Sequence, residues 1–127
     1  MNYLIDTHVI IWLAIDSSEL PQNIKKIIEH PDHEIYICSV SLWEIAIKMN
    51  LGKLDLKLPL DKLLSDIKSG GFNILQLEEK YLSKLLNIPY IHKDPFDRLL
   101  ISTALVENLT IITADENIQK YNVSWNW

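Results

Sequence analysis

The sequence predicts an α/β fold, with a parallel sheet covered by helices on both faces, and two observations carry that expectation. Short β-branched or aromatic runs alternate with helical patterns through most of the chain, the order that βαβ units produce. With 127 residues, 48% of them hydrophobic, the chain is long enough for one sizeable core and too short for two. Residues 1–127 are therefore expected to form a single domain.

Tyr3 to Ile5 form an apolar β run ending at Asp6, and Val9 to Ile15 follow as a buried helix. Pro21 suits the first position of a helix whose Ile24, Ile27 and Ile28 share a face, with Lys25, Lys26 and Glu29 turned outward. Glu34 to Ser39 reads as a second strand. Ser41 is the expected N-cap of a helix from Leu42 to about Leu51, which Gly52 ends. Leu60, Leu63, Leu64 and Ile67 mark another amphipathic helix, stopped by Gly70 and Gly71 before the strand-like run 72–77. The helical pattern returns over 78–87, with Tyr81, Leu82, Leu85 and Leu86 inward. A helix starts near Pro95, Leu109 to Thr113 is a strand, a helical turn follows Asp115, and a last β-like run covers 122–125.

Seventeen acidic and twelve basic residues give a net charge of −5, which argues against binding nucleic acid through a generally positive surface. A polyanionic substrate would need a local device. The single cysteine, Cys38, lies in a strand-like run and reads as a buried thiol, with no disulfide implied. The N-terminus has no basic, apolar leader, and no run is long enough to span a bilayer, so a soluble cytoplasmic protein without membrane contact is expected.

In a parallel α/β sheet the ligand site lies outside the carboxyl ends of the strands. Four acids share that address. Asp6 ends the first strand, Glu44 is placed in the first turn of the helix after the second, Asp97 in the first turn of the helix at Pro95, and Asp115 follows the strand ending at Thr113. Carboxylates gathered at one edge repel each other and are compensated most simply by a divalent cation, and oxygen-only donors favour Mg²⁺ or Mn²⁺. Such an ion would supply the missing positive charge. Each acid also has a plainer reading. Asp94, Pro95 and Asp97 fit N-cap, N1 and N3 of a helix, Asp6 and Asp115 fit caps or turns, and Glu44 with Lys48 fits an exposed i, i+4 pair.

The phrases YLIDTHVIIW, SVSLWEIAIKMNLGKL, IPYIHKDPFDRLLISTA and TIITADENIQKY together resemble the PIN-domain family, specifically its VapC-like toxins. The resemblance spans nearly the whole chain and keeps the motif order. It implies a three-layer α/β/α sandwich with a central parallel sheet, Mg²⁺- or Mn²⁺-dependent endoribonuclease activity, homodimers, and inhibition by a cognate antitoxin. It maps the family's acidic quartet onto Asp6, Glu44, Asp97 and Asp115.

Around the quartet, Thr7 and Thr113 are candidates to orient a ligand or water, and Lys48 is a candidate for a phosphate contact. His92 is a candidate substrate contact or a loop-surface residue, and Arg98 is expected to pair with a neighbouring carboxylate. Trp12 and Trp43 sit in apolar helices and read as core or dimer contacts, while Trp125 and Trp127 stay open. A receiver domain fits less well, because Asp6 has no acidic neighbour and TIITADEN lacks a lysine; a haloacid-type phosphatase would want an acid at position 8, which is His8. A DNA-cleaving relative and a non-catalytic binding module are the remaining alternatives.

Overall fold

The chain runs through β1 (Asn2–Ile5), α1 (Thr7–Ala14), α2 (Gln22–Glu29), β2 (Glu34–Cys38), α3 (Ser39–Asn50) and α4 (Leu60–Ser69). It continues through β3 (Asn73–Leu75), α5 (Glu79–Leu85), α6 (Pro95–Glu107), β4 (Thr110–Ile112), α7 (Glu116–Gln119) and β5 (Trp125–Asn126) in a computed structural model that describes residues 1–127. The strands form one sheet in the order β3-β2-β1-β4-β5, and every pairing is parallel. β1 is central, with Leu4 opposite Tyr36 on one side and Ile111 on the other.

The two-residue side-chain period of the strands divides the core into two layers. Tyr3, Ile5, Ile35, Ile37 and Ile112 join Val9, Ile24, Ile45, Leu63 and Ile67 on one face, beneath α1 to α4. Leu4, Cys38 and Ile111 point to the other face and pack with Leu100, Ile101, Ala104 and Ile118 of α6 and α7. The result is the expected α/β/α sandwich.

The chain leaves β1 for one side of the sheet, adding β2 and then β3, and returns to the opposite side of β1 as β4 and β5. The strand order therefore reverses between β1 and β4. Crevices at such switch points, at the carboxyl ends of the strands, are where α/β sheets accommodate ligands. Asp6 follows β1 and Asp115 lies just beyond β4, one on each side of this crevice.

Several local expectations shift. α3 begins at Ser39 directly after β2, so Cys38 takes the cap position without a side-chain cap bond, and Ser41 is buried inside the helix instead of capping it. Docking Ile45 into the core sets the phase of α3 and outweighs the roughly 1 kcal/mol that a serine cap offers. Glu44 consequently lies in the second turn. Pro21 occupies the N-cap of α2, one residue earlier than expected. α5 stops at Leu85, so Leu86 falls past its end and is 87% exposed, and Leu82 is also exposed; only Tyr81 is fully buried there. Trp43 is 62% exposed and meets only the edge of Phe96, so it is not a core residue. Trp12 packs against Trp127, while Trp125 is an exposed member of β5, which is paired over Trp125–Asn126 and not over 122–125. No helix is long and apolar enough to cross a membrane.

Ile111 is fully buried on β4, where loss of its side chain leaves a cavity under α6. Ile111→Ala should lower the unfolding free energy by about 2–5 kcal/mol in a denaturant titration.

Candidate metal centre at the carboxyl edge

Asp6 is the first acid of the site and is only 3% exposed. It caps α1: its Oδ1 accepts the Val9 amide at 2.9 Å, while its own amide donates to the Ile112 carbonyl at 3.2 Å and extends the β1–β4 ladder by one residue. Its Oδ2 accepts a short hydrogen bond from the Thr113 hydroxyl. Burial pushes the Asp6 carboxyl above its ordinary range, with the Thr113 and Val9 donors and the nearby His8 opposing it and Asp115 adding to it.

Thr113 ties this acid to the next. Its oxygen accepts the Asp115 amide at 3.0 Å while its proton goes to Asp6. Asp115 also divides its carboxylate. Oδ1 caps α7 by accepting from the amides of Asn117 and Ile118, and Oδ2 faces His92 Nε2 at 3.0 Å. Burial raises the Asp115 carboxyl, but the His92 bond and the two amides outweigh it, and the net shift is downward.

Asp97 enters from α6. Asp94 caps that helix through Oδ1, which accepts from the amides of Phe96 and Asp97, and Pro95 occupies the first helical position. The cap fixes Asp97 in the first turn, where its Oδ2 lies 3.0 Å from His92 Nε2. Desolvation first, then the negative charge of Asp94, Glu44 and Asp115, pushes its carboxyl up to about 7, with His92 opposing.

Glu44 is the fourth acid and is 3% exposed on α3. Its Oε2 meets Lys48 Nζ at 2.9 Å, so the i, i+4 pair exists, but its carboxylate end is buried and not on a solvated surface. Its Oε1 is buried without any hydrogen-bond partner. A buried charged oxygen left unpaired is costly, and a cation is the natural complement. Lys48 partly meets this need, and its ammonium is held in the charged form by the Glu44 bond, against desolvation, with further support from Asp94 and Asp97.

His92, Asp97 and Asp115 bring three donor atoms within 4.8 Å of one another. Asp6 and Glu44 lie outside that tight set; Asp6 is linked to it through Thr113, and Glu44 through its repulsion with Asp97. Thr7 is buried beside Asp6 and bonds none of the acids. Arg98 departs from expectation: it pairs with no carboxylate. Its guanidinium donates to the carbonyls of Pro89 and Leu85 and to the Tyr121 hydroxyl, and stacks 4.5 Å from the Tyr90 ring centre. Leu85 is the last residue of α5 and Pro89 lies in the loop before α6, and Arg98 supplies a donor to the carbonyl of each. Tyr121, which closes the phrase TIITADENIQKY without an expected role there, accepts the Ile91 and His92 amides at 3.0 and 2.8 Å and so positions His92.

Two other locations lack this chemistry. The thiol of Cys38 is pushed up to about 12 by burial, which leaves it protonated and unreactive. A cavity of about 660 Å³, lined by residues such as Ile10, Ile28, Ile37, Leu63 and Ile67, contains none of the four acids.

Residues 3–123 match the family model described as the PIN domain. The chain belongs to the PIN domain family. It is similar to "Ribonuclease VapC22" of Mycobacterium tuberculosis, 24% identical over 123 residues that cover 93% of this chain and 90% of that protein. Among solved structures it resembles VapBC2 from Rickettsia felis bound to a DNA fragment from its promoter, at 18% identity and a TM-score of 0.75, covering 99% and 98% of the two chains. A toxin-antitoxin complex from Klebsiella pneumoniae is also similar, at 15% identity and a TM-score of 0.67, covering 98% and 96%. These likenesses span the whole PIN fold described above.

The site makes two measurable demands on this PIN domain. Thr113→Val removes the hydroxyl that serves Asp6 and Asp115 and should cost about 1–3 kcal/mol of stability by chemical denaturation, with Thr113→Ser recovering most of it. The second concerns pH. Native Asp97 holds its proton up to about 7, whereas the unfolded carboxyl, with its ordinary value of 3.8, has already released it. This raised native pKa gives a contribution to stability that is full below pH 4 and is lost as pH rises through 7. In chelator, Asp97→Asn should therefore flatten the decline in melting temperature between pH 4 and 7 and melt above the wild type at pH 8.

Proposed function

We propose that this protein is a Mg²⁺- or Mn²⁺-dependent endoribonuclease, the toxin of a toxin-antitoxin pair, in which Asp6, Glu44, Asp97 and Asp115 hold the metal. The observation that carries the reading is the gathering of four carboxylates at the β1–β4 switch point, two buried and two half-buried, with Glu44 Oε1 lacking a partner. The donor set fits the ion, since it is all oxygen and its mutual repulsion calls for a compensating charge. A divalent cation held there supplies Lewis acidity toward a phosphodiester and toward water.

The remaining work falls to the chain itself. The caps on α1, α6 and α7 leave Asp6, Asp97 and Asp115 on rigid elements, so their geometry persists when substrate arrives. Thr113 keeps Asp6 and Asp115 in register, and Lys48 balances Glu44 at the rim, where its partly exposed ammonium meets an incoming phosphate. No side chain is required as nucleophile. The same reading makes RNA the substrate, a cognate antitoxin and a second copy of the chain the protein partners, and the cytoplasm the compartment, with residues 1–127 acting as one nuclease unit. Support for the antitoxin comes from the similar toxin-antitoxin complex from Klebsiella pneumoniae.

Purified protein freed of antitoxin and incubated with total cellular RNA should yield discrete fragments in Mg²⁺ or Mn²⁺ and none in EDTA, while duplex DNA stays intact. Asp97→Asn and Glu44→Gln should fall to the EDTA level while keeping the wild-type circular dichroism spectrum. Cleavage that persists in EDTA, or folded variants as active as the wild type, would overturn the assignment.

A further inference from the structure

His92 is held more tightly than a loop-surface histidine requires. Its side chain is 12% exposed, and its ring and backbone form three hydrogen bonds, with Asp115, Asp94 and Tyr121. Nε2 lies 3.0 Å from Asp97 Oδ2 and 3.0 Å from Asp115 Oδ2. On the opposite side of the ring the Asp94 amide points at Nδ1 from 3.1 Å, and the His92 amide donates to the Tyr121 hydroxyl at 2.8 Å.

These partners determine which ring nitrogen bears the proton. A backbone N–H can only donate, so Nδ1 must offer a lone pair to Asp94. A neutral imidazole then carries its proton on Nε2 and donates it to Asp115 Oδ2, with Asp97 Oδ2 3.0 Å from the same nitrogen. Coordination through Nε2 would demand a lone pair there and a proton on Nδ1, facing the Asp94 donor. The three-atom cluster that includes His92 is therefore not a three-ligand set.

We infer that His92 is a positioning residue whose Nε2–H hydrogen-bonds Asp115 while the same edge of the ring holds Asp97 Oδ2 by close contact, clamping the two acids together, and that it does not itself bind the metal. The inference rests on the proposed function, and it adds an element the acidic quartet lacks. Asp97 belongs to α6 and Asp115 to the turn after β4, and the His92 ring lies 3.0 Å from both carboxylates, which repel each other. Carboxylate ligands oriented by an outer hydrogen bond lose about 10–100-fold in metal affinity when that donor is removed.

The test is Mg²⁺ and Mn²⁺ binding by titration calorimetry on wild type, His92→Ala and His92→Gln, together with ¹⁵N imidazole spectra of histidine-labelled wild type with and without Mg²⁺. The clamp predicts that His92→Ala weakens binding about 10–100-fold. His92→Gln, whose amide places an N–H near the same position, recovers part of it. In the spectra, Nε2 stays protonated and Nδ1 unprotonated in both conditions. Loss of the Nε2 proton on adding Mg²⁺ would make His92 a ligand and overturn the clamp, as would a folded His92→Ala variant that binds as tightly as wild type. A wild type that binds neither ion would overturn the metal-dependent function itself, and the spectrum without metal would still decide the tautomer.

Discussion

Burying the Asp6 carboxylate at the end of the central strand is the constraint from which the rest of the site follows. A charge 3% exposed must find directed donors or give up its ionised form. Asp6 finds two, the Val9 amide at the start of α1 and the Thr113 hydroxyl just past β4. The second donor is available only because β1 and β4 are parallel neighbours whose register sets Ile5 against Ile112. Thr113 then holds the Asp115 amide, so one buried charge determines the separation of two strand ends and the position of a second acid. A strand order that reversed elsewhere would leave Asp6 without Thr113.

Helix capping and the proposed metal binding need not compete at Asp115, because each takes a different oxygen. Asp6 and Asp115 use Oδ1 to satisfy helix amides, while Oδ2 of Asp115 faces His92 and Oδ2 of Asp6 accepts the Thr113 hydroxyl. At α6 the labour is split between residues: Asp94 caps, and Asp97 two residues after Pro95 points into the site. The helix N-termini thus make the carboxylates rigid without consuming them. Glu44 differs, since it sits in the second turn of α3 and is paired only through Oε2, which leaves Oε1 as the most demanding atom of the edge.

Much of this was legible in the sequence where the signal is local. The alternation of runs gave the parallel sandwich, and Asp94-Pro95 marked a helix start that the structure reproduces to the residue. Ser41 misled because a serine before an apolar run is a cap signal only if a turn precedes it, and α3 follows β2 with none. Leu86 misled because the apolar spacing continues one turn beyond α5. The contacts that needed three dimensions were out of reach. His92 meets acids five and twenty-three residues away, Arg98 turns from carboxylates to the carbonyls of Pro89 and Leu85, and Tyr121, at the end of TIITADENIQKY, acts across α6 on a loop that no spacing connects to it.

The measurement that tests the account most directly is a crystal structure of the protein grown with Mn²⁺, with anomalous scattering used to locate the ion. The account predicts an anomalous peak at the β1–β4 switch point, bound by oxygens drawn from Asp6, Glu44, Asp97 and Asp115. A fully occupied Mn²⁺ elsewhere, or no peak at that edge under saturating Mn²⁺, would contradict it and return these acids to the work of capping helices.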